Sequence, residues 1–493
     1  MSQRLLILTL VLLLGWTPAA SLRAQALNLP DMGDPSEAYF GSDEERRMGL
    51  EMMRQLRQRD MILDDVQLTA YLNSIGQSIV TYADQNGAPF NFFAVRSAAI
   101  NAFALPHNFI GINAGLLLAT EREDELAGVI AHEIAHVSQK HIVRAIADMK
   151  RMAVPLAAAM VASAALAAAS KEAGQAAMVG SMAAGAQHQI NFTRANEQEA
   201  DRIGMRLLAK AGFDPSGMSD FFTKLERRAG GSNDQIPEML LTHPRPERRA
   251  ADTQDRLEAP PPPPRRAAPR DRKAYELAKA RARVLAANDV RALLRELETR
   301  LTKGDFSSEA AARYARALAL RQTGRYDEAR QQIADLLRSD PDRLAFRIEA
   351  AEIALASGDT DQAWRAFEEA RQLYPDDFVL AMHYGRALAT QGDPQRALRV
   401  LQPHLSRHPN DSLLYAAYAQ AAQRGGDMPA THATMAEYHY LNGELLPAIE
   451  QLELGLRSAG LSPNRQAQLR ARLKQLRAEA IAQNLPVSKR DSP

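Results

Sequence analysis

The sequence predicts a chain of two parts, an α+β domain followed by an all-α solenoid of paired helices. Three observations predict it. A pair of histidines four apart, His132 and His136, sits inside a helical pattern that follows strand-like runs. Small residues beyond position 300 recur every 34 positions. Between the two parts Pro260 to Pro264 is an unbroken proline run flanked by Arg265 and Arg266, a stiff spacer. The boundaries that follow are about 27–258 for the first domain, 259–270 for the linker and 271–485 for the solenoid.

Composition bounds the rest. At 493 residues the chain is too long for one ordinary domain. Its apolar fraction of 46% and charged fraction of 24% are those of a globular protein. A net charge of +1 argues against a nucleic-acid partner, whose binders carry a basic excess. Residues 1–26 read as a cleaved signal peptide: Arg4, then an apolar run from Leu5 to Leu14 broken only by Thr9, then Ala24-Gln25-Ala26 as a small-x-small site. That run is short for a bilayer span. The chain has no cysteine, so any metal site must be built from His and carboxylate, and a large secreted protein without disulfides points to the bacterial periplasm.

In chain order, residues 27–41 show no clear pattern. Ser42 with Glu45 forms a capping-box pattern opening a helix to about Arg59. Asp65 to Asp84 reads as a second helix with Val66, Leu72, Ile75 and Ile79 on its apolar positions. Phe90 to Val95 is strand-like, and Asn101 to Leu105, a break at Pro106, then Phe109 to Ile112 suggest one or two further strands. Thr120 with Glu123 is a second capping box, opening a helix to about Met149 whose acidic first turn suits the helix dipole. Ala153 to Ala169 is Ala-rich and uncharged. It reads as a helix packed over an active-site cleft, with contact to a membrane surface or an apolar substrate as the alternative. A last helix of this domain runs from near Thr193 to Ala211, stopped by Gly212.

The solenoid is read from its repeats. Gly324, Gly358, Gly392 and Gly426 keep the 34-residue period, as do Pro341, Pro375 and Pro409. Ala329, Ala363 and Ala397 follow it, and Ala317, Ala351 and Gly385 are small residues in phase, where paired helices would cross closely. The pattern resembles the tetratricopeptide repeat. Gly443 with Ala448 keeps the Gly-to-Ala offset out of phase, residues 273–303 fit a degenerate leading pair, and Leu469, Leu473 and Leu476 fit a closing helix. Such an array needs only neighbour contacts and caps, so the segment from 271 is expected to fold alone.

The chemistry is carried by His132-Glu133-Ile134-Ala135-His136. Residues four apart share a helix face, so both imidazoles can bind one zinc. Glu133 stands about 100° round the helix, placed to take a proton from a metal-bound water without being a ligand. A catalytic zinc keeps three protein ligands and an open position. In Glu197-Gln198-Glu199-Ala200-Asp201, one face presents Glu197 to the metal and Asp201 to the distal ring nitrogen of a ligand His. Glu199 is the competing ligand, pointing off that face. His141, five residues past His136, falls on another face and reads as structural; His188 reads as a surface residue.

His132 to His136 with His141 beyond, Asn101-Ala102-Phe103-Ala104-Leu105-Pro106 upstream and Glu197 with Asp201 downstream together resemble the M48 family of zinc metallopeptidases. The added signal peptide and repeats resemble those members that work on outer-membrane protein assembly in the Gram-negative periplasm. The resemblance covers nearly the whole mature chain. It implies a gluzincin-type catalytic domain, one zinc held by His132, His136 and Glu197, and endopeptidase activity on misassembled outer-membrane proteins. It further implies repeats that dock onto the outer-membrane assembly machinery. It also places a loop histidine, His243 in Thr242-His243-Pro244, within reach of the metal, either capping the zinc in a resting state or stabilising an oxyanion. One departure stands out: many members carry two glycines where this chain has His107 and Asn108, so the turn geometry is open, and His107 is either a bystander or a substrate contact.

The substrate is expected to lie extended beside an edge strand formed near Ala102 to Ile112. Two rival readings remain. One is a chaperone-like assembly scaffold with a latent or structural zinc site, favoured by the concave surface of stacked repeats. The other is a membrane-embedded peptidase, opposed by the lack of a long apolar span.

Overall fold

The structure, a computed structural model, describes residues 41–83, 89–229, 237–243 and 271–486. The signal-peptide segment, the lead up to residue 40, the expected helix end at Asp84, Pro244 and the proline run at Pro260 to Pro264 lie outside the described residues.

Helix α1 (Ser42–Gln58) starts without a side-chain cap. Gly41 holds the N-cap position and Ser42 is already helical, so the capping box expected there does not form. The acidic first turn of Asp43, Glu44 and Glu45 faces the positive end of the helix instead. Helix α2 (Val66–Val80) is capped as its sequence demands: the Asp65 carboxylate accepts from Leu68 N–H at 2.9 Å. Its buried Leu68, Leu72, Ile75 and Ile79 recur at helical spacing and join the core shared with the sheet.

Among the described residues the sheet has three strands in the order β1 (Asn91–Val95), β3 (Phe109–Asn113), β2 (Ala102–Leu105). β1 runs parallel to β3, with Phe92 beside Ile110, and β2 runs antiparallel to β3, with Ala104 beside Ile110. The expected edge over Ala102 to Ile112 is therefore only half correct. β2 is an edge, while Phe109–Asn113 is paired on both sides and has no free backbone to offer. In the β2–β3 turn His107 and Asn108 have φ of 64° and 60°, the left-handed region glycine enters freely. The turn is held on both flanks: Glu45 accepts the His107 N–H at 3.0 Å, and Asn91 N–H donates to the Asn108 carbonyl at 2.9 Å. His107 is thereby tied into the contact between α1 and the turn.

Short helix α3 (Ala114–Ala119) leads to α4 (Glu123–Ser138). Here too the expected cap fails. Arg122 is the N-cap, while the Thr120 hydroxyl donates to the Leu117 carbonyl and accepts from Tyr275. Nor does α4 reach Met149. It ends at Ser138, Lys140 turns left-handed with φ of 53°, and α5 (His141–Ala169) starts afresh. α6 (Lys171–Lys210) is 40 residues long, so the helix expected from Thr193 begins 22 residues earlier and ends where Gly212, at φ of 81°, allows the chain to turn.

α5 and α6 fold back on each other about Ser170, and Asp148 meets His188 across the pair at 2.9 Å. Met160, Val161 and Leu166 of α5 and Met178, Val179 and Met182 of α6 are exposed. The Ala-rich stretch thus pairs with α6 and leaves these side chains open to solvent. Among the described residues no helix is long and apolar enough to cross a membrane. Helices α7 (Ser216–Ala229) and α8 (Glu238–Thr242) complete this part.

The rest of the described residues form six helix pairs: α9 (Arg272–Leu285) with α10 (Val290–Lys303), α11 (Glu309–Gln322) with α12 (Tyr326–Ser339), α13 (Leu344–Ala356) with α14 (Thr360–Leu373), α15 (Phe378–Gln391) with α16 (Pro394–Leu405), α17 (Ser412–Arg424) with α18 (Met428–Leu441), and α19 (Leu445–Arg457) with α20 (Pro463–Ala482). The recurring glycines sit at the turns within pairs, and Gly324, Gly358 and Gly426 take positive φ there. Ala317, Ala351 and Gly385 are where helices touch; a Cβ on Gly385 would fall 2.4 Å from Leu401. Leu469, Leu473 and Leu476 of α20 close the last core.

The repeats are not a separate body. α9 has two apolar faces: Tyr275, Ala278 and Ala282 belong to the core around α4, while Leu277, Ala280 and Val284 belong to the first repeat core. Arg281 reaches back to Asp65 in two bonds of 2.7 and 2.6 Å. At the far end, Arg46 of α1 pairs with Glu479 of α20 at 2.8 Å and Arg57 donates to Asn442 at 2.5 Å.

Candidate active site

α4 packs against β2 and carries His132, Glu133 and His136 into the interior, all three buried. α6 crosses α4 closely because of Gly204: a Cβ there would come within 3.1 Å of the Ala131 carbonyl, next to His132. That approach delivers Glu197 and Asp201 to the two histidines. α8 brings the third imidazole. Its Met239 N–H donates to the Ile100 carbonyl at 3.2 Å, the Asn101 amide donates to Glu238 at 3.2 Å, and His243 follows directly.

Nitrogen and oxygen atoms of His132, His136, Glu197 and His243 lie within 4.8 Å of one another. Nε2 of His132 is 3.0 Å from Nε2 of His136, 3.4 Å from Oε2 of Glu197 and 3.4 Å from Nδ1 of His243. Oε1 of Glu197 is 3.3 Å from Nε2 of His136 and 3.0 Å from Nδ1 of His243. Ligands of one tetrahedral zinc at about 2.0–2.1 Å stand about 3.3 Å apart. The four groups fit a single small cation as they stand.

The surrounding groups complete the arrangement. Nδ1 of His132 is 2.9 Å from Oδ1 of Asp201. Phe222 sets its ring edge-on to His132 at 5.9 Å. Oε1 of Glu133 is buried without a hydrogen-bond partner, and Nε2 of His243 stands 3.5 Å from it. A buried carboxylate oxygen left open beside a cation site is what a proton acceptor for water requires.

Glu199 does not compete for the centre. It is turned toward His141 at 3.1 Å and Arg144 at 3.0 Å. Burial alone would lower the basicity of His132, yet Asp201 and Glu197 push its pKa up to about 9. Burial pushes His136 down to about 3 against the pull of Glu197. Burial would raise Glu197, but hydrogen bonds from His132, His136 and His243 hold it far below the usual carboxylate range. The pocket strongly favours positive charge between its carboxylates, as a cation site must.

The sequence pattern of peptidase family M48 matches residues 67–257, and tetratricopeptide-repeat patterns match 272–343, 314–378 and 354–421. The chain is 36% identical over 355 residues to the beta-barrel assembly-enhancing protease of Escherichia coli strain K12, covering 72% of each. The chain belongs to peptidase family M48. It is 38% identical over 325 residues to the protein of that name from Yersinia pestis, 66% of each chain. It is 30% identical over 203 residues to the metalloprotease LoiP of E. coli K12, spanning 39% of this chain and 70% of that one. As an M48 peptidase with tetratricopeptide repeats it is a metalloendopeptidase, and its family implies a bound metal.

Sequence reasoning missed the part played by Asn101. It opens the Asn101 to Pro106 stretch, and its amide is the signal: it ties the start of β2 to α8, also lying 3.4 Å from the Thr242 hydroxyl. Sequence reasoning also missed the partner of His141, which only the fold reveals.

Proposed function

We propose that this M48 peptidase is a periplasmic zinc endopeptidase that removes misfolded or misassembled outer-membrane proteins, with its repeats docking to the assembly machinery. The observation that carries the reading is the four-donor cluster with the open Glu133 oxygen beside it. The relatives in Escherichia coli and Yersinia pestis are named beta-barrel assembly-enhancing proteases, which supports a role in outer-membrane protein assembly. One zinc per chain would be held by His132, His136 and Glu197, with Asp201 fixing the His132 ring.

When bound, the zinc polarises the scissile carbonyl and acidifies a water. The residues do the rest. β2 offers its free edge to an extended substrate, so backbone pairing holds the chain with little side-chain selectivity. Glu133 takes the proton from water through its open oxygen and returns it to the leaving amine. His243 occupies the fourth donor position in the resting arrangement and withdraws for catalysis.

A Glu133→Gln trap, used to capture clients from periplasmic and outer-membrane extract, tests the reading. Enrichment of outer-membrane proteins is expected; their absence from the captured set rejects the substrate class. The closed four-donor set also favours a second reading, an assembly scaffold with a latent zinc site. Casein cleavage that depends on Glu133 decides between them, since a scaffold cleaves nothing.

A further inference from the structure

His141 lies beyond the helix that carries the proposed ligands, and on an unbroken helix it would stand about 140° round from His136. The chain does not continue straight. α4 ends at Ser138 with Gln139 as its C-cap, and Lys140 adopts φ of 53° and ψ of 36°, a conformation that costs energy for a residue with a Cβ. The kink swings His141 back onto His136. Their rings meet at 81° with centroids 4.8 Å apart, and the two Nδ1 atoms are 2.9 Å apart. Both rings are buried.

Two like nitrogens at that distance must differ: one carries a hydrogen and the other a lone pair. On the zinc reading, which this inference rests on, Nε2 of His136 gives its lone pair to the metal. Its hydrogen is then on Nδ1 and is donated to Nδ1 of His141. His141 must therefore carry its own hydrogen on Nε2, which lies 3.1 Å from Oε2 of Glu199. Glu199 is an acceptor because Arg144 donates to the same oxygen at 3.0 Å. The chain from Arg144 through Glu199 and His141 to His136 has one direction only. His132 is held otherwise, with Asp201 directly against its Nδ1.

We infer that His141, anchored by Glu199 and Arg144, is the positioning residue that fixes the ring orientation and tautomer of His136. The two ligand imidazoles are thus backed unequally, one by an anion and one by a neutral ring. Without His141 the buried His136 N–H loses its acceptor and the ring is free to turn its other nitrogen to the metal.

The test is zinc affinity of the full chain, by competition with a chromophoric chelator, for wild type, His136→Ala, His141→Leu and His141→Asn. An Asn amide oxygen stands about where Nδ1 of His141 does, so it can accept from His136 without reaching Glu199. Loss of such partners typically costs about 10- to 100-fold in metal affinity. His141→Leu is expected to lose that much and His141→Asn to stay near wild type. A purely structural histidine would instead lower the melting temperature of both variants with the zinc-induced shift unchanged, which overturns the inference. Histidine-selective nitrogen spectra of the zinc-loaded wild type give a readout free of folding effects. They are expected to show His141 protonated on Nε2 and His136 on Nδ1, and the reverse pattern refutes the assignment. If His141→Leu keeps wild-type affinity while His136→Ala loses zinc, the inference fails and the zinc site stands. A wild type that takes up no zinc overturns both.

Discussion

Arg281 of the first repeat helix and Asp65, the cap of α2, are 216 positions apart in sequence and joined by two hydrogen bonds in the interior. Burial opposes charging either group, but each stabilises the other's ion, and the same guanidinium donates to the Tyr314 hydroxyl oxygen at 3.0 Å. Removing one partner of a buried pair leaves the other stranded and costs about 3–5 kcal/mol. Arg281→Met is expected to lower unfolding free energy by that order in chemical denaturation. Adding Asp65→Asn removes the stranded charge and recovers part of the loss. Unfolding of the single variant at the wild-type midpoint would show that the pair does not hold the two parts together.

The same pair sets a pH dependence. Asp65 in the fold sits below its usual value, since Arg281 outweighs burial. A depressed carboxylate contributes stability that is fully present above its unfolded value of about 3.9 and lost as pH falls through the lower folded value. The gap in stability between wild type and Arg281→Met is expected to be constant near neutrality and to shrink in acid. A gap that widens on acidification contradicts the sign.

Much of this architecture was legible in the sequence, for physical reasons. His132 and His136 share a face by helix geometry alone, and Gly324, Gly358 and Gly426 mark turns because positive φ favours glycine. The break at Lys140 was hidden because no glycine or proline signals it. The length of α6 was hidden because its Ala-rich first half has no apolar periodicity. Both capping-box patterns misled, since Gly41 and Arg122 took the cap positions and Thr120 bonds elsewhere. The sharing of α9 between two cores could not be read locally at all, because it is decided by contacts far along the chain.

That sharing bears on the repeats as a fragment. Residues from 271 onward, produced alone, should be strongly helical by circular dichroism, because each helix pair keeps its neighbouring pairs. The later pairs lose Val66, which packs among Met382, Leu401 and Leu414, and the contacts to Arg46 and Arg57. α9 loses an entire face, with Tyr275, Ala278 and Ala282 stripped of their partners. Hydrogen exchange is expected to be fast in α9 and slow from α11 onward. Uniform protection would mean that the core around α4 adds nothing to α9; a disordered fragment would mean that the repeats depend on it.

Glu133 and Glu197 should separate by their effects on metal. Glu133→Gln is expected to abolish hydrolysis with zinc still bound, because its open oxygen lies beside the donor cluster and is not one of its atoms. Glu197→Ala is expected to lose metal affinity, because its two oxygens approach three imidazoles. Zinc content and casein cleavage check both. Zinc lost from the first variant, or stoichiometric zinc kept in the second, reverses the roles; Glu199 is then the next ligand to examine, despite its engagement with His141 and Arg144.

His243 poses the sharpest choice. A peptidase that accepts any extended chain at an edge strand needs restraint, and the fourth donor position is where an imidazole imposes it most directly. Nδ1 of His243 is 3.0 Å from Glu197 and 3.4 Å from His132, positions that close the donor set, while its Nε2 faces Glu133. The residue is carried by α8, whose docking runs through Ile100 and Asn101 at the head of the edge strand. A chain pairing with β2 therefore arrives beside the groups that hold His243 in place. As a latch, His243→Ala should cleave casein faster and bind zinc less tightly, and Asn101→Ala should speed cleavage without touching the imidazole. As an oxyanion stabiliser, His243→Ala should lose activity by roughly a hundredfold or more. The closed geometry favours the latch, so the faster enzyme is the expected outcome. A large loss assigns His243 to the oxyanion, and unchanged cleavage rejects both roles.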